Sequence, residues 1–245
     1  MSAAGAALVI TIAVGNVMSN PVMPQPEVRH DVTRLYSLEP AAICGNEIEP
    51  ARYRAAWREL GRAHGYATRT LGTPNPVAVR RSSPWRAATV RAHRLSTGIP
   101  GITPDRFALV LKLTRDDGRR LVLVCTHLVS RAWTHTEPTT ELRRQLWRLE
   151  ARRIRAIIRF WRARGVPVVV AGDLNRPTRV RWARRQRVLV NAGLIQVTVV
   201  PPAGMRVRAE RRREIPNRLL FTDHPMTLVR TSILGREDDA SAPKS

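Results

Sequence analysis

Acidic residues are the scarce component of this sequence. Its 245 residues hold 19 Asp and Glu against 42 Lys and Arg, for a formal net charge of +23. Such a balance attracts phosphate backbones by counterion release and steers them from a distance. Nearly all the basic residues are Arg. A GC-rich coding sequence puts Arg in place of Lys, but it does not remove acids, so nucleic acid is the expected partner. Cysteine is nearly absent: only Cys44 and Cys125 occur, both in apolar runs. Neither has a Cys or His neighbour at metal-ligand spacing, which excludes an obvious zinc motif. They read as small core residues of a reduced protein, not as a disulfide framework. Long apolar runs are missing too. Ala3 to Val14 is apolar but too short to span a bilayer; no Lys or Arg precedes it and no cleavage site follows. It reads as a buried first strand. The expectation is a cytoplasmic chain with no membrane span and a monomer by default.

What is present is an alternation of strands and helices. Ala7 to Val14 and Ala41 to Cys44 are β-branched or apolar runs. Val28 to Leu38 and Arg52 to Leu60 have helical spacing. Pro76 to Arg80 and Thr89 to Leu95 read as strands. Arg106 to Thr114 and Arg119 to Thr126 form a hairpin around the turn Asp116-Asp117-Gly118. Thr140 to Arg164 carries an apolar stripe from Leu142 to Trp161 and stops at Gly165, a suitable helix terminator. Val166 to Ala171, Leu194 to Val200 and Val229 to Leu234 read as strands, and Thr178 to Ala192 as a basic helix closed by Gly193. The pattern is α/β with mixed sheets. Residues 1–235 form one domain, and 236–245 a polar, disordered tail.

Five fragments place polar side chains just past apolar runs, where loops converge on a rigid sheet. Gly172-Asp173-Leu174-Asn175 delivers an Asp and an Asn at the exit of a buried strand; its ordinary structural reading is an Asx turn. Thr126-His127-Leu128 ends another strand, and a lone His there is more often structural. Asn46-Glu47-Ile48 follows a short strand, where an isolated Glu is usually only solvated. Thr222-Asp223-His224 joins a carboxylate to an imidazole able to move protons near neutrality. Gly15-Asn16-Val17 closes the first strand.

Taken together and in this order, the fragments resemble the endonuclease/exonuclease/phosphatase superfamily with its deoxyribonuclease I-like fold. The resemblance implies a four-layer α/β sandwich: two mixed β-sheets packed face to face, with helices outside. It implies a Mg²⁺- or Mn²⁺-dependent phosphodiesterase acting by in-line attack of an activated water. Glu47 would be the main metal ligand, with Asn16 and Asp223 close to the metal. Asp173 would orient the water, His127 and Asn175 would hold the scissile phosphate, and His224 would act as base or transition-state stabiliser. Hard oxygen ligands, few in number, suit Mg²⁺ shared with a phosphate.

Three departures stand out. Asn46 takes the place of a Gln, and Gly15 that of an aromatic residue. More seriously, the family carries an Asp on the strand before the final Asp-His; here Leu194 to Val200 offers only Gln196, with Glu210 or Glu214 of a basic loop as alternatives. The charge favours a nuclease, with Arg176 and Arg179 gripping phosphates and most of the Arg143 to Arg164 charges on a solvated face. The alternatives are a phosphatase or phosphodiesterase on small or lipid phosphates, and a catalytically weak nucleic-acid-binding member.

Overall fold

The computed structural model describes residues 7–17, 24–49, 51–133, 136–216 and 219–235; the segment 236–245, expected as a tail, lies outside them. Along the chain run β1 (Leu8–Asn16), α1 (Gln25–Ser37), β2 (Ala42–Asn46), α2 (Ala51–Ala63), β3 (Tyr66–Arg69), β4 (Val77–Arg80), β5 (Trp85–Ser96) and β6 (Arg106–Arg115). They continue with β7 (Arg120–His127), α3 (Thr140–Arg162), β8 (Val168–Asp173), β9 (Arg187–Ala192), β10 (Ile195–Val200), β11 (Arg206–Ile215) and β12 (Met226–Leu234). Among the described residues no helix is long and apolar enough to cross a membrane.

The strands form two six-stranded sheets, ordered β11-β12-β1-β2-β4-β3 and β5-β6-β7-β8-β10-β9. Side-chain alternation explains the layers. Along β7, Leu121, Leu123 and Cys125 face the opposite sheet, while Val122 and Val124 face α3. Strand β8 does the same, with Val169 and Ala171 inward and Val168 and Val170 toward Ile154 and Ile158. The first sheet turns Ala13, Ile43 and Ala78 to α1 and α2. Central strands covered on both faces must be apolar throughout, which is why they read as continuous runs. The result is the expected four-layer sandwich.

Each sheet has one parallel pair at its centre. Strands β1 and β2 end together with Asn16 opposite Asn46. Strands β7 and β8 end together with His127 opposite Asp173. Four polar side chains therefore reach one rim of the sandwich, two from each sheet.

Three expectations are corrected. Cys44 and Cys125 are not separate thiols: they form a disulfide, with Cα atoms 5.4 Å apart. One lies on β2 and the other on β7, so the bond crosses the sandwich interior; their sequence separation of 81 hides that adjacency. Residues 178–192 are not a helix. An irregular loop leads to β9, which pairs antiparallel with β10. Val180 and Trp182 are buried two apart, and Val188-Leu189-Val190 is a β-type run. Gly193 has a φ of 58°, serving the β9–β10 turn where a helix terminator was expected. Finally, the presumed basic loop around Glu210 and Glu214 is strand β11, an exposed edge paired with β12.

Candidate active site

The rim is assembled by backbone register and then tied by side chains. Gly172 has a φ of 147°, and a Cβ there would lie 1.8 Å from the Thr126 carbonyl oxygen. Only glycine lets β8 approach β7 this closely and deliver Asp173 beside His127. Asn46 crosses between the sheets. Its Oδ1 accepts from the Asp173 backbone N–H at 3.0 Å. Its Nδ2 donates to the Thr126 carbonyl at 3.2 Å and to Asn75 Oδ1 at 3.3 Å. The disulfide lies one pleat below, two residues before Asn46 on β2 and two before His127 on β7. The inter-sheet alignment at the rim is thus fixed covalently and by hydrogen bonds.

Asp173 is the hub. Its Oδ2 accepts from Asn16 Nδ2 at 2.9 Å, and its Oδ1 from the Asn175 backbone N–H at 2.9 Å. His224 Nε2 lies 3.6 Å and His127 Nε2 3.9 Å from Asp173 Oδ2. Glu47 Oε1 is 3.6 Å from His127 Nε2, and Asp223 Oδ1 is 3.3 Å from His224 Nε2. Asn16, Glu47, His127, Asp173, Asp223 and His224 are therefore one connected cluster. Glu47 and Asn175 both hold left-handed backbone, with φ of 59° and 49°. That conformation is uncommon for a Glu and turns its carboxylate back over the rim. Asn175 faces partly elsewhere: its Nδ2 donates to the Leu128 carbonyl at 2.8 Å, leaving one amide hydrogen and the oxygen.

Charge and burial shape the chemistry. Arg106, nearly buried on β6, sets its Nη1 3.1 Å from His127 Nδ1. A guanidinium can only donate, so Nδ1 is the acceptor and the ring proton is assigned to Nε2, facing the cluster. Burial, then the Arg106 and His224 charges, hold the His127 pKa well below its usual range. This imidazole is a neutral donor. Burial raises Asp173, and burial together with the Asp173 charge pushes Glu47 up to about 7. Two carboxylates crowd one another here, an arrangement that a cation relieves.

Among the described residues no three His, Cys, Asp or Glu side chains are grouped at metal-holding spacing. The oxygen donors nevertheless fit a hard cation. Asn16 Oδ1 is buried without a hydrogen-bond partner, on the same side chain whose Nδ2 donates to the Asp173 carboxylate. Mg²⁺ is commonly held by one or two carboxylates and keeps several waters.

No family model and no curated protein matches this sequence. Solved structures do. The catalytic domain of human Nocturnin with a bound sulfate anion aligns with a TM-score of 0.66 at 13% identity, covering 92% of this chain and 94% of that one. TDP2 of D. rerio, complexed with a single-strand DNA product, aligns at 0.66 and 14% identity over 91% of this chain and 99% of that one. A mannosyl-6-phosphatase of Bacteroides thetaiotaomicron aligns at 0.62 and 11% identity over 91% and 99%. The chain has the deoxyribonuclease I-like fold.

Within that fold, the carboxylate missing from β10 is not replaced. Gln196 lies opposite Gly172, and its amide is engaged by the loop that follows β8. Its Oε1 accepts from Val180 N at 3.1 Å, and its Nε2 donates to the carbonyls of Arg176 and Thr178, each at 3.0 Å. Glu210 pairs with Arg230 at 2.7 Å and Glu214 with Arg212 at 2.5 Å, both on the β11–β12 hairpin. Asp173 and Asp223 are the carboxylates beside the His224 ring.

Several supporting residues were not anticipated. Asp31, fully buried on α1, accepts from Phe221 N at 3.1 Å and Thr222 N at 2.9 Å, and so anchors the turn that carries Asp223 and His224. Glu150 on α3 accepts from Ser96 at 2.6 Å and from Val129 N at 2.9 Å. It also lies in the electrostatic surroundings of Arg106. Asn75 donates to the Phe107 carbonyl at 2.9 Å, holding the strand next to β7. The available signal was a carboxylate on an otherwise apolar helix face: Asp31 beside Val28, Val32 and Leu35, Glu150 beside Ala151 and Ile154.

Proposed function

We propose that this chain is a metal-dependent phosphoric-ester hydrolase, and that its substrate is the phosphodiester backbone of a nucleic acid. The observation that carries this reading is the convergence of Asn16, Glu47, His127, Asp173, Asp223 and His224 on one rim, with Asn16 Oδ1 left without a partner. Glu47 and Asn16 would hold Mg²⁺ or Mn²⁺, with Asp223 beside them. The ion would supply charge neutralisation at the phosphate and acidify a bound water.

The chain's own groups have separable tasks. His127, kept neutral, donates its Nε2 proton to a phosphate oxygen. Asn175 donates its remaining amide hydrogen to the same group. Asp173 accepts from an attacking water and positions it. His224, beside Asp173 and Asp223, stabilises charge on the in-line transition state or takes the water's proton. Arg176 and Arg179 grip phosphates flanking the scissile one. Residues 1–235 act as one domain, a monomer by default.

The net charge of +23 favours a nuclease over a small-ester phosphatase. A mannosyl-6-phosphatase among the similar structures supports the second reading, hydrolysis of small phosphate monoesters. Incubation with plasmid, single-stranded DNA, RNA and a panel of sugar phosphates, in Mg²⁺ and in EDTA, tests both. We expect EDTA-sensitive cleavage of a polynucleotide. Folded protein that cleaves no polynucleotide with any divalent metal refutes the nuclease reading. Metal-dependent turnover confined to sugar phosphates replaces it with the second. The expected cytoplasmic placement fits poorly with a buried disulfide, which cytosolic thiol buffers disfavour. Thiol titration of the denatured protein before and after reduction tests for the bond: no free thiol before and two after are expected.

A further inference from the structure

The arginines of α3 are not only a solvated face. Arg148, Arg152 and Arg155 are spaced four and three residues apart, so they share one side of the helix. Together with Trp133, Trp147 and Arg176 they line a groove of about 700 Å³. The groove is attached to the catalytic turn. Trp147 Nε1 donates to the Leu174 carbonyl at 2.8 Å, between Asp173 and Asn175. The Arg176 guanidinium lies 4.7 Å from the Trp133 ring centre and 5.1 Å from that of Trp147. A second hollow, of about 630 Å³, is lined by Arg179, Arg181, Arg184 and Arg187. Arg155 links the two by donating to the Arg181 carbonyl at 3.0 Å.

This loop is built to present cations. Six arginines fall between residues 176 and 187, and no acid occurs from 174 to 209. Val180 and Trp182 are buried, so the intervening residues point outward. Gln196 satisfies one backbone N–H and two carbonyls of the loop. Gln186 accepts from Trp182 N at 2.7 Å and Ala183 N at 3.0 Å, and donates to the Val180 carbonyl at 2.9 Å. Two buried or half-buried amides thus order a loop whose exposed side chains repel one another. Burial, then the Arg176 and Arg159 charges, lowers the Arg155 pKa. Arg152 is exposed and has no hydrogen bond or ion pair within the described residues.

We infer that the groove of α3 and the 176–187 loop form a binding tract for a single nucleic-acid strand, running away from the catalytic turn. Its ligand chemistry is a chain of phosphates regular enough to meet successive guanidiniums, with flat bases that stack on indole and guanidinium planes. This deepens the nuclease reading and rests on it for the strand's destination. Binding, however, is measurable without turnover. A fluorescein-labelled 20-nucleotide single strand is titrated by anisotropy in EDTA at several salt concentrations. The wild type is compared with Arg152→Glu/Arg184→Glu, and with a control pair on the opposite layer, Arg58→Glu/Arg62→Glu. All three should share one melting temperature within a few degrees, because these side chains are exposed.

The tract variant should bind about 10-fold or more weakly at 0.1 M salt. Its slope of log affinity against log salt should be shallower by about 1.4, the value for two lost phosphate contacts. The control pair, with an equal change in net charge, should stay within about 3-fold. Equal weakening by both pairs would mean that bulk charge alone draws the strand, and would overturn the tract. Poly-glutamate competing as well as the oligonucleotide, at equal charge concentration, would overturn the nucleic-acid assignment. Tight binding with no hydrolysis in Mg²⁺ would uphold the tract and sink the hydrolase reading; cleavage with no tract effect would do the reverse.

Discussion

The candidate catalytic rim and the arginine face meet at residues 173–176 and obey opposite rules. On the rim, unlike groups are packed together: the Arg106 guanidinium and the His127 and His224 imidazoles among the Glu47, Asp173 and Asp223 carboxyls. Each buried group there depends on its partner, because an isolated charge in such a place is strongly disfavoured. On the arginine face one sign dominates, and most side chains end in solvent. The first arrangement fixes positions to fractions of an ångström and should be intolerant of single changes. The second supplies field and grip, and should lose them in small, additive steps.

The largest expected effect tests the rim's chemistry. His224→Ala should lower hydrolysis by about 10³-fold, with oligonucleotide affinity in EDTA kept within about 3-fold. Steady-state rates and anisotropy measure the two sides, and parallel losses in both would erase the distinction between rim and face.

Gln196→Glu restores the carboxylate that the resemblance leads one to expect on β10. Because Gln196 donates to two carbonyls of the arginine loop, a carboxylate there should destabilise the fold by about 3 kcal/mol and not raise activity. Urea denaturation with parallel assays checks it; a faster enzyme would return this position to the service of His224.

Asn46→Ala removes three buried hydrogen bonds, two of them between the sheets. A loss of about 2 to 3 kcal/mol is expected in denaturant unfolding. Asp31→Asn should be milder for stability yet lower turnover by about 10-fold, since the turn holding His224 loses a carboxylate acceptor and small misplacements are costly. Unchanged kcat in that variant would make Asp31 purely structural.

The smallest effect concerns pH. Glu47 has its pKa raised from 4.5 to about 7. Between these values the unfolded chain has released the proton and the folded chain retains it, so ionising Glu47 costs stability as pH rises. In EDTA, Glu47→Gln should therefore melt above the wild type at pH 8 and level with it at pH 4. A third of the Glu47 side chain remains open to solvent, which damps the difference. Mg²⁺ should raise the wild-type melting point more than that of the variant, a shift that calorimetry reads directly.

The fold was legible where burial on both faces made strands apolar and where turns carried their own chemistry, as at Asp116-Asp117-Gly118. It was not legible where two structures need the same residue. Gly193 supplies positive φ for either a helix end or a hairpin, and the arginines around Val180 and Trp182 suit an amphipathic helix as well as an alternating segment. The rim was readable as fragments because each polar residue sits at a strand end. Its supporting groups were not: Arg106 opens β6, and Asp31 and Glu150 are buried on helices whose apolar neighbours conceal them. The pairing of Cys44 with Cys125 escaped for the same reason, since adjacency across a sandwich leaves no local trace.

That bond has a topological consequence. It closes the chain between residues 44 and 125, 81 positions apart, into a ring that contains α2 and strands β3 to β6. Closing such a ring restricts the unfolded chain by about 4.5 kcal/mol in the loop-entropy model. A protease cut in the 97–105 segment would open the ring without releasing either end. The strand that brings Glu47 and the strand that brings His127 would remain one molecule, so a nicked chain could refold around its own rim, whereas the same cut after thiol reduction would leave two separate fragments.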